Sequence, residues 1–500
     1  YDKELQAYLW RDESGAKREL HLLHRLDSPT SGAILLSLDS PLADAVRSLF
    51  AERKVKKTYH ALAQEKGRGR NETWKDKLEI TRRDGKLTAA LPPGIMLETL
   101  RSVVRLRRPQ VGRTNRQLRE AANVADLRRM ARRRLPGGVF DYIDGGAEEE
   151  STLARNVDAY QKVTFRPRVL RDMGTVEAST TLLGRPLAFP LVLAPTGFPR
   201  IADPEGELAV VRAAGRAGIP FTLSTMGTRS IEECAAVAGP DARLWFQVYT
   251  WRDRSLVQGL VERAAAAGFE ALCLTVDAPV LGRRERDVRR GFTLPPEIGP
   301  DTLLDGLRHP GWTWRFLRSE PIRFASAEGA AGGDGSTAVD LAAYMASQFD
   351  PGLSWRDLEW FRSIWEGPLI LKGIQSVADA RLAAEAGVAA IVVSNHGGRQ
   401  LDGAPASFDL LPEIVEAVGD RVEVICDGGV RRGSDIVKAL AVGADAVMAG
   451  RLYLYALGAV GEPGVDHVLS LMRSGMERTM ALVGAAAVGD LGPELVDLGG

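Results

Sequence analysis

The sequence predicts an α/β chain whose larger part, residues 124–498, is a (β/α)8 TIM barrel. Three observations predict it. Eight short apolar runs recur: LVLAP (191–195), FTLST (221–225), LWFQVY (244–249), ALCLTVD (271–277), LILKG (369–373), AIVVSNH (390–396), EVICDGG (423–429) and AVMAGR (446–451). They are continuous rather than alternating, as expected of parallel strands buried on both faces. Most gaps hold an amphipathic segment, such as GELAVVRAAGRAG after the first run and VADARLAAEAG after the fifth, which returns each strand through an outer helix. Eight such units favour a closed barrel over an open sheet.

Before the first strand, residues 124–134 predict a helix that Leu135-Pro136-Gly137-Gly138 ends. Residues 91–123 read as a basic linker, and a separate module precedes them over 1–90. The gap 282–368 between the fourth and fifth strands is the long one. It holds the Gly/Ala/Ser-rich stretch AEGAAGGDGS, which reads as a mobile lid or a disordered loop. No repeat of 20–50 residues is present.

Five hundred residues, 45% hydrophobic and 26% charged, describe an ordinary soluble chain with room for two domains. Cys234, Cys273 and Cys426 form no CxxC or CxxxH pattern, so neither a disulfide framework nor a metal site is expected, and a cytoplasmic compartment fits. No run reaches the eighteen or so apolar residues of a membrane span, and the first ten residues lack the pattern of an export signal. The chain opens on Tyr1 rather than methionine, so a longer or processed parent is expected. The net charge of zero hides a basic first part: residues 1–135 carry 30 Lys/Arg against 17 Asp/Glu. Solvated helix faces and linkers account for most charge runs of this kind; nucleic acid or an anionic membrane surface is the alternative partner.

Reacting groups of such barrels sit where strands end. Here those positions hold Gln247 and Tyr249, Thr275 and Asp277, Lys372, Ser394 and His396, and Asp427, which gathers a phenol, an ammonium, an imidazole and carboxylates around one mouth. Asp427-Gly428-Gly429-Val430-Arg431 and Ala449-Gly450-Arg451 close the last two strands, where barrels hold phosphate with backbone N–H groups. A phosphate-bearing cofactor is expected there.

With these motifs in view, residues 124–498 resemble the FMN-dependent 2-hydroxy acid oxidase and dehydrogenase family. FDYIDGGAEEE, APTG, LSTMGT, WFQVY, LTVDAPVLGRRERD, LKGI, SNHGGRQLD, DGGVRRGSD and AGR occur in that family's order. The resemblance implies FMN as cofactor and oxidation of an L-2-hydroxy acid to the 2-oxo acid, with L-lactate ranked first and longer or aromatic 2-hydroxy acids next. Oxygen, a quinone or a cytochrome is the electron acceptor. It implies His396 as catalytic base and Asp277 as the carboxylate that stabilises its imidazolium. Arg284 and Arg399 are implied as substrate-carboxylate binders with Tyr142, and Tyr249 as the hydroxyl by the substrate oxygen. Lys372 is placed beside the flavin edge that gains negative charge on reduction. Ala194, Thr196, Ser224, Gln247 and Thr275 are implied to bind the ring or ribityl chain, with Ser394, Asp427 and Gly428 also at the cofactor. Gly429, Arg431, Gly450 and Arg451 are implied to hold the phosphate. Gly197 and Met226 border the substrate side chain and leave room beyond glycolate. A homotetramer, with peripheral membrane contact as an option, completes the picture.

Residues 19–63 resemble a different family, the RNA pseudouridine synthases, through HRLDSPTSG with Asp27 at the catalytic aspartate and Tyr59 in KKTYHA; Lys54, Lys56 and Lys57 would meet phosphates. About eighty residues replace a catalytic domain more than twice that length, so an incomplete α+β fragment, unstable alone, is expected. RNA is therefore not an expected partner. The alternative is a bifunctional protein that modifies RNA through Asp27.

Overall fold

A computed structural model describes residues 113–290, 299–322 and 349–499, together with the backbone of five strands before residue 91. The chain divides into two units, Tyr1–Pro109 and Gln110–Gly500. In the first, Ala7–Arg11, Lys17–Leu22 and Leu36–Ser37 form an antiparallel sheet, and Glu79–Arg83 pairs with Lys86–Ala90. Asp27, Tyr59 and the lysines at 54, 56 and 57 lie outside the described residues, as does AEGAAGGDGS.

The second unit is an eight-stranded closed parallel barrel. Its strands are β1 (Leu191–Leu193), β2 (Phe221–Ser224), β3 (Leu244–Val248), β4 (Ala271–Thr275), β5 (Leu369–Ile374), β6 (Ala390–Val393), β7 (Glu423–Asp427) and β8 (Ala446–Ala449). Seven fall within the apolar runs, and β5 extends one residue past LILKG. Nearly every strand residue is buried, which is why the runs are continuous. β4 and β5 pair directly, Thr275 opposite Lys372, although the long excursion separates them in sequence. The barrel closes with Val447 of β8 opposite Leu191 of β1.

Helix Val124–Arg134 starts at Asn123, whose side chain accepts from the Asp126 N–H, and ends at Leu135 as the sequence predicts. It packs on Arg451–Val460, where Gly458 permits the approach: a Cβ there would stand 2.8 Å from Leu135 Cδ1. Helix Arg113–Glu120 lies inside the stretch read as linker; its arginine-rich sequence hides a helix that tertiary contacts stabilise. In the described parts of the 276–368 excursion, Pro300–Arg308 and Pro310–Arg318 are helices tied to the barrel unit. Trp312 Nε1 donates to Ile201 O (2.8 Å), Arg315 pairs with Asp203 (2.9 Å), and the Gly137 N–H donates to Asp305 (2.5 Å). No helix among the described residues is long and apolar enough to cross a membrane. All three cysteines are buried and free.

Candidate active site

The C-terminal ends of the strands open into one cavity with about 1340 Å³ of empty space, open solvent at the mouth included. His396 follows β6 in the left-handed region (φ 58°), a conformation that costs a non-glycine residue about 1–3 kcal/mol. The turn aims its ring: Nδ1 stands 3.0 Å from Asp277 Oδ1, which leaves Nε2 for the cavity. Burial pushes the Asp277 carboxyl up, but His396 and Lys372 outweigh it and hold it below its ordinary value. Its second oxygen, Oδ2, is buried without a hydrogen-bond partner among the described residues. The carboxylate is thus committed to the histidine and dependent on its proton.

Lys372 reaches the same floor from β5. Its Nζ donates to Ser394 Oγ (3.0 Å) and pairs with Asp427 (3.1 Å), while Ser394 Oγ donates to Asp427 (2.7 Å) and accepts from the His396 N–H (3.0 Å). Burial lowers the Lys372 ammonium, yet Asp427 and Asp277 outweigh it and raise it, so the cation is fixed at neutral pH. Burial, with Asp277 nearby, raises the Tyr249 phenol, which therefore stays a neutral hydroxyl on the cavity wall. Behind the wall, Ser224 Oγ donates to Gln247 Oε1 (2.8 Å) and Gln247 Nε2 to Thr275 Oγ1 (2.9 Å). Thr196 Oγ1 meets the Tyr453 hydroxyl (2.6 Å), which donates to Ala194 O (2.9 Å).

Arg284 and Arg399 flank the Tyr142 ring, their guanidinium carbons 5.4 and 5.1 Å from its centroid. Arg399 Nη1 donates to the carbonyls of Tyr142 (2.8 Å) and Gly145 (2.9 Å). Burial, then repulsion from Arg284, pushes the Arg399 guanidinium down to about 9. An arriving carboxylate relieves both. At the opposite end, Gly428 and Gly429 take φ of 105° and 85°, and Arg431, Gly450 and Arg451 complete the wall.

Every site residue that the sequence predicts for the barrel falls at this cavity: Gln247, Asp277 and Ser394 stand behind its lining and the others form it. Sequence reasoning missed Leu281, Phe349 and Gln400, which also line it. Leu281 sits inside the quoted motif LTVDAPVLGRRERD. Phe349 arrives only through tertiary structure, as an isolated bridge to Trp251 and a ring 5.0 Å from Tyr249.

Asp144, at the end of helix Gly137–Asp144, anchors the segment that carries Tyr142. It accepts from Arg128 (2.5 and 2.7 Å), Arg286 (3.0 Å) and the Tyr455 hydroxyl (2.7 Å). Burial raises its carboxyl, yet these partners outweigh it and hold it at about 2. A depressed carboxylate contributes stability above its unfolded value near pH 4, and that contribution is lost as pH falls toward about 2. Asp144→Asn is expected to cost about 2 kcal/mol at about pH 7, since half-exposed Arg128 is partly screened. The gap in thermal midpoint between variant and wild type should narrow between about pH 4 and pH 2.

Fold and site together define a cofactor-dependent barrel enzyme acting on a small carboxylate. The comparisons with known proteins name the family. The chain belongs to the FMN-dependent dehydrogenases, whose family description matches residues 131–498. A putative L-lactate dehydrogenase of Mycobacterium tuberculosis is 45% identical over 397 residues, covering 79% of this chain and 94% of that protein. An L-lactate oxidase of Nostoc sp. is 45% identical over 380 residues, covering 75% and 98%. Among solved structures, the monotopic membrane protein (S)-mandelate dehydrogenase superposes with a TM-score of 0.72 at 40% identity, covering 75% of this chain and 99% of that one. The chain is an FMN-dependent 2-hydroxy acid oxidoreductase acting on a CH–OH group. Residues 3–128 match the RNA pseudouridylate synthase family, a longer stretch than the 19–63 motif region.

The residues present fit FMN. Arg451 is half-buried and meets only backbone carbonyls, and Arg431 beside it meets the Val430 carbonyl; neither guanidinium has an ion-pair partner among the described residues. Two cations beside two glycines of positive φ call for an anion with several oxygens.

Proposed function

We propose that the substrate is an L-2-hydroxy acid with a short side chain, L-lactate first, oxidised to the 2-oxo acid. The observation that carries this reading is the His396–Asp277 pair opening onto the same cavity as Arg284 and Arg399. The two guanidinium groups bind the carboxylate by paired hydrogen bonds, with the Tyr142 hydroxyl beside them. His396 Nε2 takes the proton released as the substrate is oxidised, and Asp277 stabilises the resulting imidazolium. The neutral Tyr249 hydroxyl donates to the substrate oxygen. FMN, when bound, accepts the two electrons. Gly429, Arg431, Gly450 and Arg451 hold its phosphate, Ala194, Thr196, Ser224, Gln247 and Thr275 its ring and ribityl chain, and Lys372, backed by Ser394, Asp427 and Gly428, supplies the fixed positive charge. Around the side chain, Gly197 faces Met226 and Tyr142: a Cβ there would stand 3.2 Å from Met226 Cβ and 3.4 Å from the Tyr142 hydroxyl, so a larger residue at 197 would crowd this wall.

The test is direct. Purified protein is yellow, and anaerobic L-lactate bleaches it faster than glycolate or mandelate. If no 2-hydroxy acid in such a panel bleaches the yellow protein, the proposed chemistry is wrong. Oxygen uptake separates an oxidase from a dehydrogenase that passes electrons to a quinone or cytochrome.

Peripheral membrane association is part of the same reading, supported by the monotopic relative and by the exposed side chains of Leu303, Leu304, Leu307, Trp314 and Leu317 beside Arg308 and Arg318. Sedimentation with anionic vesicles checks it, and light scattering reads the homotetramer expected of the family. For residues 1–90 we favour a truncated remnant joined through the linker 91–123 to the enzyme. The match over 3–128 supports the second reading, uridine isomerisation by Asp27, and turnover on RNA abolished by Asp27→Ala would establish it.

A further inference from the structure

Arg451 opens helix Arg451–Val460 directly after β8, on the side of the cavity read as the phosphate end. Its side chain faces the other way as well. Nε donates to Ile143 O (3.2 Å), Nη2 to Gly145 O (2.7 Å) and Nη1 to Gly397 O (2.8 Å). The first two carbonyls belong to the segment that presents Tyr142, and the third follows His396. These two segments are also fastened to each other. The Ala147 N–H donates to Gly398 O (2.8 Å), and Arg399 shares the Gly145 carbonyl with Arg451. Glycine suits the positive φ of 63° at 397, and a Cβ there would stand 2.8 Å from Arg451 Nη1, so the guanidinium would have to shift to accommodate one.

A guanidinium has five N–H donors, and three are spent on these carbonyls. Two remain on a half-buried cation that lacks an ion-pair partner among the described residues. Loss of solvent, with repulsion from Arg431, disfavours its charge, and the more distant Tyr455, Asp144 and Asp427 offset only part of this. Carbonyl dipoles orient such a group without neutralising it, so its geometry is at lowest free energy only when an anion sits on the remaining donors.

We propose that Arg451 is a positioning residue that couples the two ends of the site: the cofactor's phosphate on its free donors locks the guanidinium, which then holds the 143–145 and 397 carbonyls and so sets Tyr142 and His396 for substrate. This rests on the reading that the phosphate lies at Arg431 and Arg451. Substrate affinity therefore depends on an anion that the substrate never touches. Arg431, which makes no contact with either segment in the hydrogen bonds described, contributes affinity for the phosphate without this coupling.

Hydrogen exchange read by mass spectrometry tests the proposal on the full chain, following peptides that cover 141–147 and 395–399. FMN added to the apoprotein is expected to slow exchange in both by about fivefold or more, whereas saturating riboflavin, which lacks the phosphate, does not, and riboflavin with inorganic phosphate restores part of it. Arg451→Lys, saturated with FMN, loses the slowing and raises KM for L-lactate about tenfold with kcat within about threefold. Arg431→Lys raises the FMN concentration needed for half-maximal protection of both peptides. Equal protection by riboflavin and FMN in the wild-type protein overturns the proposal, as does wild-type protection and KM in Arg451→Lys. The riboflavin comparison decides the matter even if Arg451→Lys fails to fold. Should no 2-hydroxy acid bleach the wild-type holoenzyme, the substrate reading falls while the exchange experiment still stands.

Discussion

Replacing His396 with alanine is expected to leave the protein yellow and to slow bleaching by L-lactate by about 10²- to 10⁴-fold, the range a positioned general base contributes. Stopped-flow absorbance under anaerobic conditions measures it. The geometry makes the loss specific. Asp277 Oδ1 has His396 Nδ1 at 3.0 Å and its other oxygen has no partner, so the variant leaves a buried carboxylate with Lys372 as its main compensation. The carboxyl then returns toward its ordinary range, and the variant is less stable than wild type at neutral pH. Added imidazole, entering the space the ring vacates, should restore part of the rate. Loss of the yellow colour instead would show that His396 serves the cofactor rather than the substrate.

Gly429→Ala is expected to produce the second large effect, a fall in FMN affinity of about 100-fold or more with a loss of roughly 3 kcal/mol in stability. Its φ of 85° strains any side chain, and a Cβ would stand 1.9 Å from the carbonyl oxygen of Asn156, a backbone atom that cannot swing aside. The strand end must retreat, and the phosphate donors go with it. Gly403→Ala is the control: its φ is 87°, but nothing lies within 4 Å. It pays the backbone strain without the collision, so it should bind FMN normally. Quenching of flavin fluorescence gives both affinities.

The barrel was legible because burial on both faces leaves little choice of residue, so LVL, LWFQV and AIVV announce themselves without any partner strand in view. The site was legible for a related reason. Polar side chains such as Lys372 and Asp427 at the ends of apolar runs have few structural explanations, and the glycines mark where backbone must turn or approach. What stayed hidden depends on pairs distant in sequence. Phe349 becomes a wall residue only by bridging to Trp251, and Asp144 shows its weight only once Arg128, Arg286 and Tyr455 converge on it. Helix Arg113–Glu120 escaped because its composition is that of a solvated linker, and its order comes from neighbours in the C-terminal helices.

The seam between β8 and β1 bears on how the enzyme is made. Val447 pairs with Leu191, so the ring of strands stays open until its eighth strand has been synthesised. The end of the cavity proposed for the phosphate is built from β7, β8 and the residues just beyond them, the last part of the ring to be made. Cofactor loading therefore follows synthesis of β8, and flavin supply during expression should govern how much of the newly made chain is held in the closed state and how much is degraded.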